Sequence, residues 1–290
     1  MTIAVAVGSG AGTQEEALGL LNASNSVLKA LRQLKYNPFI HKTSSTQALV
    51  PECDFVFNLC DNNEGYADSF VSYTSLLEQA KIPYTGNRLK CFKKYKSKLM
   101  WSSNSNVAKY MTFRTDDVRQ VGLLECPFVV KHMYNHGSLS PVQIFKNVNS
   151  TVEDFLNTGE YFCEKFIKGQ EISIAYLPGF KPMCGVKELQ PTSILDFKTK
   201  WSGDITTAIY QPTSSETQQI LEMIDDIKCA LHITSYMRLD VRKCDDTLYL
   251  IDINPNCSLD AAGSFVKILQ LNNISYEALI ESIIKNDIRN

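Results

Sequence analysis

Two carboxylates and one amide near the end of the chain have a spacing that could hold a metal ion. Arg238, Asp240 and Arg242 alternate in YMRLDVR, and Asp252 and Asn254 are two residues apart in LYLIDINPN. Side chains two apart on a strand share a face, so antiparallel pairing of these segments would bring Asp240, Asp252 and Asn254 together. Oxygen ligands without histidine or cysteine suit Mg²⁺. Solvated acidic residues at strand ends are the alternative explanation.

Lysines and glutamates upstream of this pair of segments could bind a phosphorylated ligand. Lys131 ends the apolar run PFVVK, and a desolvated ammonium there needs a partner such as phosphate. The loop that follows, with Gly137 and Ser138, could cover phosphates with backbone N–H groups. Glu164 and Glu171 flank FIKGQ, a turn suited to adenosine, with backbone against the base edge and a carboxylate at the ribose. Other lysines that could contribute are Lys94, Lys98 and Lys200.

Other chemistries find little support in the sequence. The four histidines lack the spacing of a metal motif, and the nine scattered cysteines contain no CxxC, which is typical of reduced cytosolic thiols. The glycine-rich segment 8–12 lacks the acidic residue that completes a dinucleotide-binding motif. Cys257 lies inside the metal pattern, but no histidine is placed to act as its base, so it is predicted to be a packing residue.

The elements that must position these residues follow from alternating apolar runs and amphipathic stretches. Strands at Ile3–Val7, Asn37–His41 and Phe55–Leu59, with helices at Asn22–Leu34 and Phe70–Gln79, predict a doubly wound α/β domain over about the first 87 residues. The later predicted elements are a lysine-rich helix at 89–101, strands at Pro127–Lys131, Phe162–Ile167, Glu171–Leu177, Gly185–Leu189, Tyr236–Val241 and Thr247–Ile253, and helices at Thr217–Leu231 and Tyr276–Lys285.

Composition limits the classes of function. The 290 residues carry 29 lysines and arginines against 31 aspartates and glutamates, and 44% of them are hydrophobic. A net charge of −2 gives no global field for nucleic acid or an anionic membrane. No apolar run approaches the roughly 18–20 residues of a membrane span, and the N-terminus does not have the pattern of a signal peptide. We therefore expect a cytoplasmic globular protein without nucleic-acid or membrane partners.

Seven motifs occur in an order and at a spacing that resemble one ligase family. They are YTGN (84–87), KKYKSKLMW (93–101), PFVVK…GS (127–138), EKFIKGQE (164–171), DFKTKW (196–201), MRLDV (237–241) and DINPN (252–256). The chain is similar to ATP-grasp ligases of the D-alanine–D-alanine ligase type. The resemblance implies a mixed α/β and α+β chain with a three-lobed ATP-grasp fold. The expected ranges are 1–88 for the N-terminal doubly wound α/β domain, 89–168 for the central lid and 169–290 for the C-terminal catalytic domain.

The resemblance also implies roles for individual residues. ATP phosphates would be contacted by Lys94, Lys131 and Lys200, adenine by Glu164 and the backbone of Lys165, Phe166 and Ile167, and the ribose by Glu171. Mg²⁺, or Mn²⁺ in its place, would be held by Asp240, Asp252 and Asn254. Arg238 would face the carboxylate oxygen that becomes an oxyanion, with Lys200 and Ser138 assisting catalysis. The implied substrate contacts are Glu16, Asp61, Glu64, Trp201 and Ser258.

The chain departs from the family pattern at several of these positions. Lys93 stands where the family usually has aspartate, and Ser258 where it has an oxyanion-binding glycine. Asp252 replaces the usual glutamate and is one methylene shorter, which disfavours bridging of two metal ions. Trp201 replaces a tyrosine, and DNNEGYAD (61–68) stands where the family has a histidine-glycine motif. These last changes lie where the first amino acid binds.

The residues and the resemblance together predict an ADP-forming carboxylate–amine ligase that works through an acyl phosphate. The departures favour small amino acids or a peptide-like acid in specialised metabolite or dipeptide synthesis. The alternative within the family is D-alanine–D-alanine ligase of cell-wall synthesis, and the alternative of another class is an inactive nucleotide-binding protein. Dimers are common in this family, so a homodimer is an expected form.

Overall fold

The computed structural model describes residues 1–8, 14–43, 50–60, 66–124, 126–134, 143–187 and 207–289, without the side chains of 14–17 and 66–72. Its N-terminal lobe is a three-stranded parallel sheet. The strands β1 (Thr2–Gly8), β2 (Asn37–Thr43) and β3 (Phe55–Leu59) lie in the order β2-β1-β3, and α1 (Gln14–Gln33) and α2 (Tyr66–Gln79) connect to them. Strand β3 is buried throughout, as expected for a continuous apolar run in a parallel sheet.

The second sheet has four antiparallel strands. In chain order they are β4 (Arg114–Thr115), β5 (Phe128–His132), β6 (Gln143–Phe145) and β7 (Tyr161–Lys165), arranged β4-β7-β5-β6. One face packs on the short helix α5 (Val118–Val121) and on α6 (Ser150–Asn157), in a core of its own. The other face carries Arg114, Lys131 and Glu164, since these residues alternate with the buried apolar ones.

The third sheet has five antiparallel strands in the order β10-β9-β8-β11-β12. They are β8 (Gln170–Tyr176), β9 (Met183–Lys187), β10 (Thr207–Tyr210), β11 (Met237–Cys244) and β12 (Thr247–Pro255). A capping box between Thr213 and Glu216 starts α7 (Ser214–Leu231), whose apolar side covers one face of this sheet. The opposite face is polar over most of its length and is covered at one end by α8 (Ser264–Leu271).

The remaining helices tie the lobes together. Helix α9 (Tyr276–Asp287) packs Leu279 and Ile283 into the same core as the N-terminal strands. Helix α3 (Leu89–Tyr95), a 3₁₀ helix (Met100–Ser103) and α4 (Ser105–Ala108) pack instead with the third sheet. Buried residues between 91 and 111 thus belong to the core of the third sheet and not to that of the second. The expected domain boundaries remain predictions.

Most predicted elements are present, with shifted ends. The strand Phe55–Leu59 is confirmed at both ends, and α7 begins three residues before the predicted Thr217. The helix predicted over 89–101 is interrupted, because α3 ends at Tyr95 and the backbone N–H of Lys98 donates to the carbonyl of Met133 at 2.9 Å. This turn ties the segment to the end of β5. No helix in the described part of the chain is long and apolar enough to span a membrane.

Asn87 of the YTGN motif fixes the loop that leads into β11. Its side-chain oxygen accepts from the backbone N–H groups of Thr234 at 2.8 Å and Ser235 at 3.0 Å. Its amide nitrogen donates to the carbonyl of Tyr236 at 3.0 Å and to the side chain of Asn256 at 3.1 Å. All four hydrogen-bonding positions of one buried amide are therefore filled, which fixes where β11 begins and β12 ends.

Asp287, at the end of α9, binds Gly86, the residue before Asn87, at the same junction. Its Oδ2 accepts from the backbone N–H of Gly86 at 2.6 Å and from the hydroxyl of Ser235 at 2.9 Å. Gly86 has φ +96°, and a Cβ there would lie 2.4 Å from the amide nitrogen of Asn256, so only glycine fits. Burial raises the pKa of Asp287 to about 6, although these hydrogen bonds act in the opposite direction.

The raised pKa of Asp287 predicts an unusual pH dependence of stability. The pKa of Asp287 in the folded protein lies above the ordinary 3.8. Its contribution to the free energy of unfolding is therefore largest in acid and is lost as pH rises through about 6. We compare the free energies of unfolding of the wild type and of Asp287→Asn. The advantage of the wild type should increase by about 1 kcal/mol from pH 7 to pH 5. Urea unfolding at the two pH values measures this. A difference that stays constant or decreases would contradict the assignment.

Candidate active site between the two antiparallel sheets

The β11–β12 hairpin brings the predicted oxygen ligands together. Asp240 pairs directly with Asp252, and Arg238 with Asn254. The amide nitrogen of Asn254 donates to Asp240 Oδ2 at 3.1 Å. Strand alternation predicted this arrangement because the turn at Cys244–Asp246 leaves little freedom in the register. The metal-binding role of the three residues remains a prediction.

An irregularity in this hairpin opens a contact with the second sheet. The register shifts between Asp240 and Val241, so Ile251 has no partner on β11. Such a bulge turns backbone groups away from the ladder. Lys131 of β5 donates from Nζ to the carbonyl of Ile251 at 3.4 Å. The lysine of one sheet therefore reaches the carboxylate hairpin of the other.

Asp240 is surrounded by hydrogen-bond donors. Oδ1 accepts from the hydroxyl of Ser173 at 2.6 Å, and Oδ2 from Arg238 Nη2 at 2.8 Å. Lys187 Nζ lies 3.6 Å from Oδ1. Burial alone would raise the pKa of Asp240, but Arg238 and Lys187 outweigh it and hold the pKa below its ordinary range. The carboxylate is therefore ionised and is already neutralised by protein cations.

Glu164 forms a second buried ion cluster on the facing sheet. Its Oε2 lies 2.6 Å from Nε of Arg114, whose side chain is 0% exposed, and its Oε1 contacts Lys131 Nζ. Burial would raise the pKa of Glu164, but Arg114 and Lys131 lower it further than burial raises it. The predicted contact of this carboxylate with adenine remains a prediction. Both oxygens are occupied by cations, and the carboxylate holds Lys131 in position.

Glu171 is likewise engaged by protein cations and not turned to solvent. Lys187 Nζ lies 2.8 Å from its Oε1 and Arg242 Nη2 lies 3.3 Å from its Oε2. A carboxylate at this depth needs cations, and Glu171 has two. Its expected contact with ribose remains a prediction. Arg242 also donates to the carbonyl of Ile167 at 3.1 Å and lies over the ring of Phe166.

The backbone expected to contact adenine is partly engaged as well. Lys165 pairs with Phe128 in the sheet, and the N–H of Phe166 donates to the carbonyl of Pro127 at 2.9 Å. Gly169 begins the return to β8, and a Cβ there would lie 1.8 Å from the carbonyl of Lys243. Residues 165–169 thus form a tightly fixed connection between the two sheets.

Of the two helix lysines, the structure brings Lys98 to the site and not Lys94. Lys98 Nζ lies 3.3 Å from Asp252 Oδ1. Lys94 Nζ donates to the carbonyl of Ala230 at 3.2 Å, in the last turn of α7. The end of α3 at Tyr95 separates the two lysines, which a continuous helix would have kept on one face. The phosphate contact expected of Lys94 remains a prediction, and Lys98 is a further candidate for that contact.

Several predicted site residues lie outside the described part of the chain. These are Asp61, Glu64, Ser138, Lys200 and Trp201. Glu16 lies in α1, but its side chain is not described. Ser258 is exposed and its hydroxyl accepts from the backbone N–H of Asp260 at 3.2 Å. Its role, like that of the others, remains a prediction.

The donor set fits a hard divalent cation through two residues. The side chain of Asp252 is 24% exposed and offers carboxylate oxygens. The amide nitrogen of Asn254 donates to Asp240, so the amide oxygen of Asn254 points away from Asp240. Both oxygens of Asp240 accept from protein donors, and its expected metal contact remains a prediction. Within the described ranges, no three acidic, histidine or cysteine side chains lie together as a metal site.

Sequence reasoning missed three cations of the site. Lys187 ends the apolar strand MCGVK in the same way that Lys131 ends PFVVK, so the rule applied to Lys131 would have found it. Arg242 alternates with Asp240 in the sequence, but alternation alone does not show that Arg242 pairs with Glu171. Arg114 lies in a two-residue strand, and no local pattern marks it.

Comparison with known proteins adds independent findings. The family model described as D-ala D-ala ligase C-terminus matches residues 99–285. The chain is 25% identical over 292 residues to the D-alanine–D-alanine ligase of Petrotoga mobilis, covering 97% of this chain and 96% of that protein. It is 26% identical over 304 residues to the D-alanine–D-alanine ligase of Rickettsia canadensis, covering 97% and 82%.

Solved structures agree on the fold. The crystal structure of D-alanine–D-alanine ligase from Bacillus anthracis matches with a TM-score of 0.82 at 19% identity, covering 100% of this chain and 98% of that chain. The same enzyme complexed with ATP gives a TM-score of 0.81 at 18% identity, with the same coverage. The expected ATP-grasp fold, mixed α/β and α+β, is confirmed.

Proposed function

The chain belongs to the D-alanine–D-alanine ligase family of ATP-grasp enzymes, and we propose that it joins two small amino acids, with D-alanine as the first candidate for both. It is an ATP-dependent, ADP-forming ligase that makes a carbon–nitrogen bond. The expectation of specialised metabolite synthesis finds no support among these relatives. They favour the alternative, because both sequence relatives are named for ligation of D-alanine to D-alanine.

One observation carries this proposal at the level of the site. Lys131 on one sheet and Lys98 beside the other both reach the hairpin that holds Asp252, at 3.4 Å from Ile251 O and 3.3 Å from Asp252 Oδ1. Cations from both sides therefore converge on one short stretch of β12, at Ile251 and Asp252. Phosphoryl transfer places negative charge on phosphate oxygens, and catalysis consists mainly of positioning them among cations.

The residues present can perform the steps of such a reaction. Lys131 and Lys98 would bind phosphate oxygens, and Arg238 would hydrogen-bond the substrate carboxylate that attacks the γ-phosphate. Asp252 and Asn254 would hold Mg²⁺, which neutralises phosphate charge when bound. An amine then displaces phosphate from the acyl phosphate, leaving ADP, phosphate and the amide. Glu164 and Asp240 act by holding Lys131 and Arg238 in place.

The experiment that tests the proposal is ADP release with Mg-ATP and D-alanine, with the product mass read alongside. The proposal predicts turnover that needs D-alanine and a product of two alanines less one water, with L-alanine as the matched control. Turnover with another acid and amine from a panel of amino acids and dipeptides, but not with D-alanine, would overturn the substrate and keep the reaction. ATP binding without turnover for any pair would favour the inactive nucleotide-binding protein.

The different positions of Lys98 and Lys94 give a matched pair of variants. Lys98→Met should weaken ATP binding roughly tenfold or more, because it removes a charge-assisted contact at the site. Lys94→Met should leave ATP affinity within about twofold of the wild type, because Lys94 Nζ contacts the end of α7 in the described part of the chain and not Asp252. Equilibrium binding of a non-hydrolysable ATP analogue measures both. Equal losses in the two variants, or a loss only in Lys94→Met, would contradict the assignment.

A further inference from the structure

Arg114, on the short strand β4, is buried beside the site and binds two groups from different segments of the chain. Its Nε donates to Oε2 of Glu164, its direct partner on β7, at 2.6 Å. Its Nη1 donates to the backbone carbonyl of Lys98 at 2.8 Å. The side chain of Arg114 is 0% exposed, so it can act on a ligand only through the groups that it binds.

The contact with Lys98 fixes the turn that carries this lysine. Both backbone polar groups of Lys98 are used, because its N–H donates to the carbonyl of Met133 at 2.9 Å and its carbonyl accepts from Arg114. The guanidinium of Arg114 also lies over the ring of Trp101, 5.9 Å from its centroid, in the 3₁₀ helix that follows the turn. A backbone fixed in this way limits where the side chain can go, and Lys98 Nζ lies 3.3 Å from Asp252 Oδ1.

The contact with Glu164 supports the other lysine of the site. Oε2 of Glu164 accepts from Arg114, while Oε1 pairs with Lys131 Nζ, which lies 3.4 Å from the carbonyl of Ile251. Arg114 thereby fixes the carboxylate that holds Lys131. One guanidinium thus joins the supports of both lysines that reach β12.

The hydrogen bonding of Arg114 is not what stability alone would favour. Its third nitrogen, Nη2, is buried and has no hydrogen-bond partner, which is costly for an N–H group. An apolar side chain at this position would avoid that cost. What arginine offers instead is a rigid fork that donates in two fixed directions, which the single nitrogen of lysine does not reproduce. The ring of Phe162, 5.2 Å from the guanidinium carbon, helps to hold the fork in place.

From this geometry we propose that Arg114 is a positioning residue for the phosphate-binding cations, which places Lys98 through its backbone carbonyl and Lys131 through Glu164. This rests on the proposed function, in which the two lysines bind phosphate oxygens of the nucleotide. Arg114 makes no contact with the nucleotide in this role. A change at Arg114 should therefore weaken nucleotide binding only as far as the lysines lose their positions.

The test is a double-mutant cycle that measures the affinity for a non-hydrolysable ATP analogue with Mg²⁺ in the wild type, Arg114→Lys, Lys98→Met and the double variant. Arg114→Lys keeps a positive charge beside Glu164 but loses the fork that holds the carbonyl of Lys98. We expect Arg114→Lys alone to weaken binding about fivefold to tenfold. When Lys98→Met is already present, Arg114→Lys should add less than about a twofold loss, because the lysine that Arg114 positions is gone.

Arg119→Lys is the matched control for the cycle. Arg119 is exposed and pairs with Asp117 at 2.7 Å, away from both lysines of the site. The same chemical change there should leave the affinity for the analogue within about twofold of the wild type, with or without Lys98→Met. Arg114→Gln repeats the cycle if Arg114→Lys does not fold, and the same dependence on Lys98 is expected.

Three results would overturn the inference. They are an unchanged affinity in Arg114→Lys, a loss that is as large beside Lys98→Met as in the wild type, and loss of the fold in both Arg114 variants, which would show that Arg114 serves stability alone. In each of these cases the wild type still binds the analogue. A wild type that does not bind it would instead contradict the proposed function, and the inference with it.

Discussion

Replacing Asp252 with asparagine should lower the rate of ADP formation roughly a thousandfold while the protein stays folded. Asp252 is the carboxylate of the hairpin that faces the gap between the sheets, and its ion pair is with Lys98 at 3.3 Å. Removing its charge takes away an oxygen ligand of the proposed metal ion and leaves Lys98 without its partner. An ion pair this exposed contributes only about 0–1 kcal/mol to stability, so thermal unfolding should change little.

Asp246→Asn is the matched control for this variant. Asp246 lies in the exposed turn of the same hairpin, and the same chemical change there should leave ADP formation within about twofold of the wild type. Steady-state kinetics at saturating ATP and amino acid measure both variants. An Asp252→Asn enzyme that retains a tenth or more of the wild-type kcat would show that this carboxylate is not needed for turnover.

Asp240→Asn should have its largest effect on stability, lowering the free energy of unfolding by roughly 3–5 kcal/mol. Asp240 is the shared counter-ion of Arg238 and Lys187, at 2.8 Å and 3.6 Å. Its removal leaves the two cations in a buried site with less negative charge to balance them. Asp252→Asn, the same change one strand away, serves as the comparison in urea unfolding. A loss below about 1 kcal/mol for Asp240→Asn would contradict the role assigned to it.

The pH dependence of that loss has a definite sign. The pKa of Asp240 in the folded protein is held below its ordinary value of 3.8 by Arg238 and Lys187, against the opposing effect of burial. A lowered pKa means that its stabilising effect is present above pH 4 and is lost as the pH falls. The stability difference between wild type and Asp240→Asn should stay constant from pH 8 to pH 5 and shrink only in stronger acid.

The hairpin of the site could be predicted because its determinants are local. Asp240 and Asp252 are separated by a short turn, so strand alternation alone sets which side chains meet. Local reasoning did not foresee that Lys94 and Lys98 make different contacts, because α3 ends at Tyr95 and the backbone N–H of Lys98 donates to the carbonyl of Met133, 35 residues further along the chain. A continuous lysine-rich pattern contains no trace of that tertiary contact.

Buried ion pairs were the least predictable part of the site. Carboxylates near a turn suit ribose and base, so the sequence predicts nucleotide contacts for Glu164 and Glu171, and these contacts remain predictions. The structure pairs them with Arg114, Lys131, Lys187 and Arg242. Such pairings join strands that are distant in sequence, and only the sheet order brings them together. Lys187 alone had a local signal, the charged end of an apolar strand.

The most direct test of the central claim is the fate of the carboxylate oxygen in one turnover. With Mg-ATP and D-alanine labelled with ¹⁸O in its carboxyl group, attack of the carboxylate on the γ-phosphate transfers one labelled oxygen to inorganic phosphate. Mass spectrometry should therefore find ¹⁸O in the phosphate, in an amount equal to the ADP formed. Phosphate without the label while the dipeptide forms, or AMP and pyrophosphate in place of ADP, would contradict an ADP-forming ligase that works through an acyl phosphate.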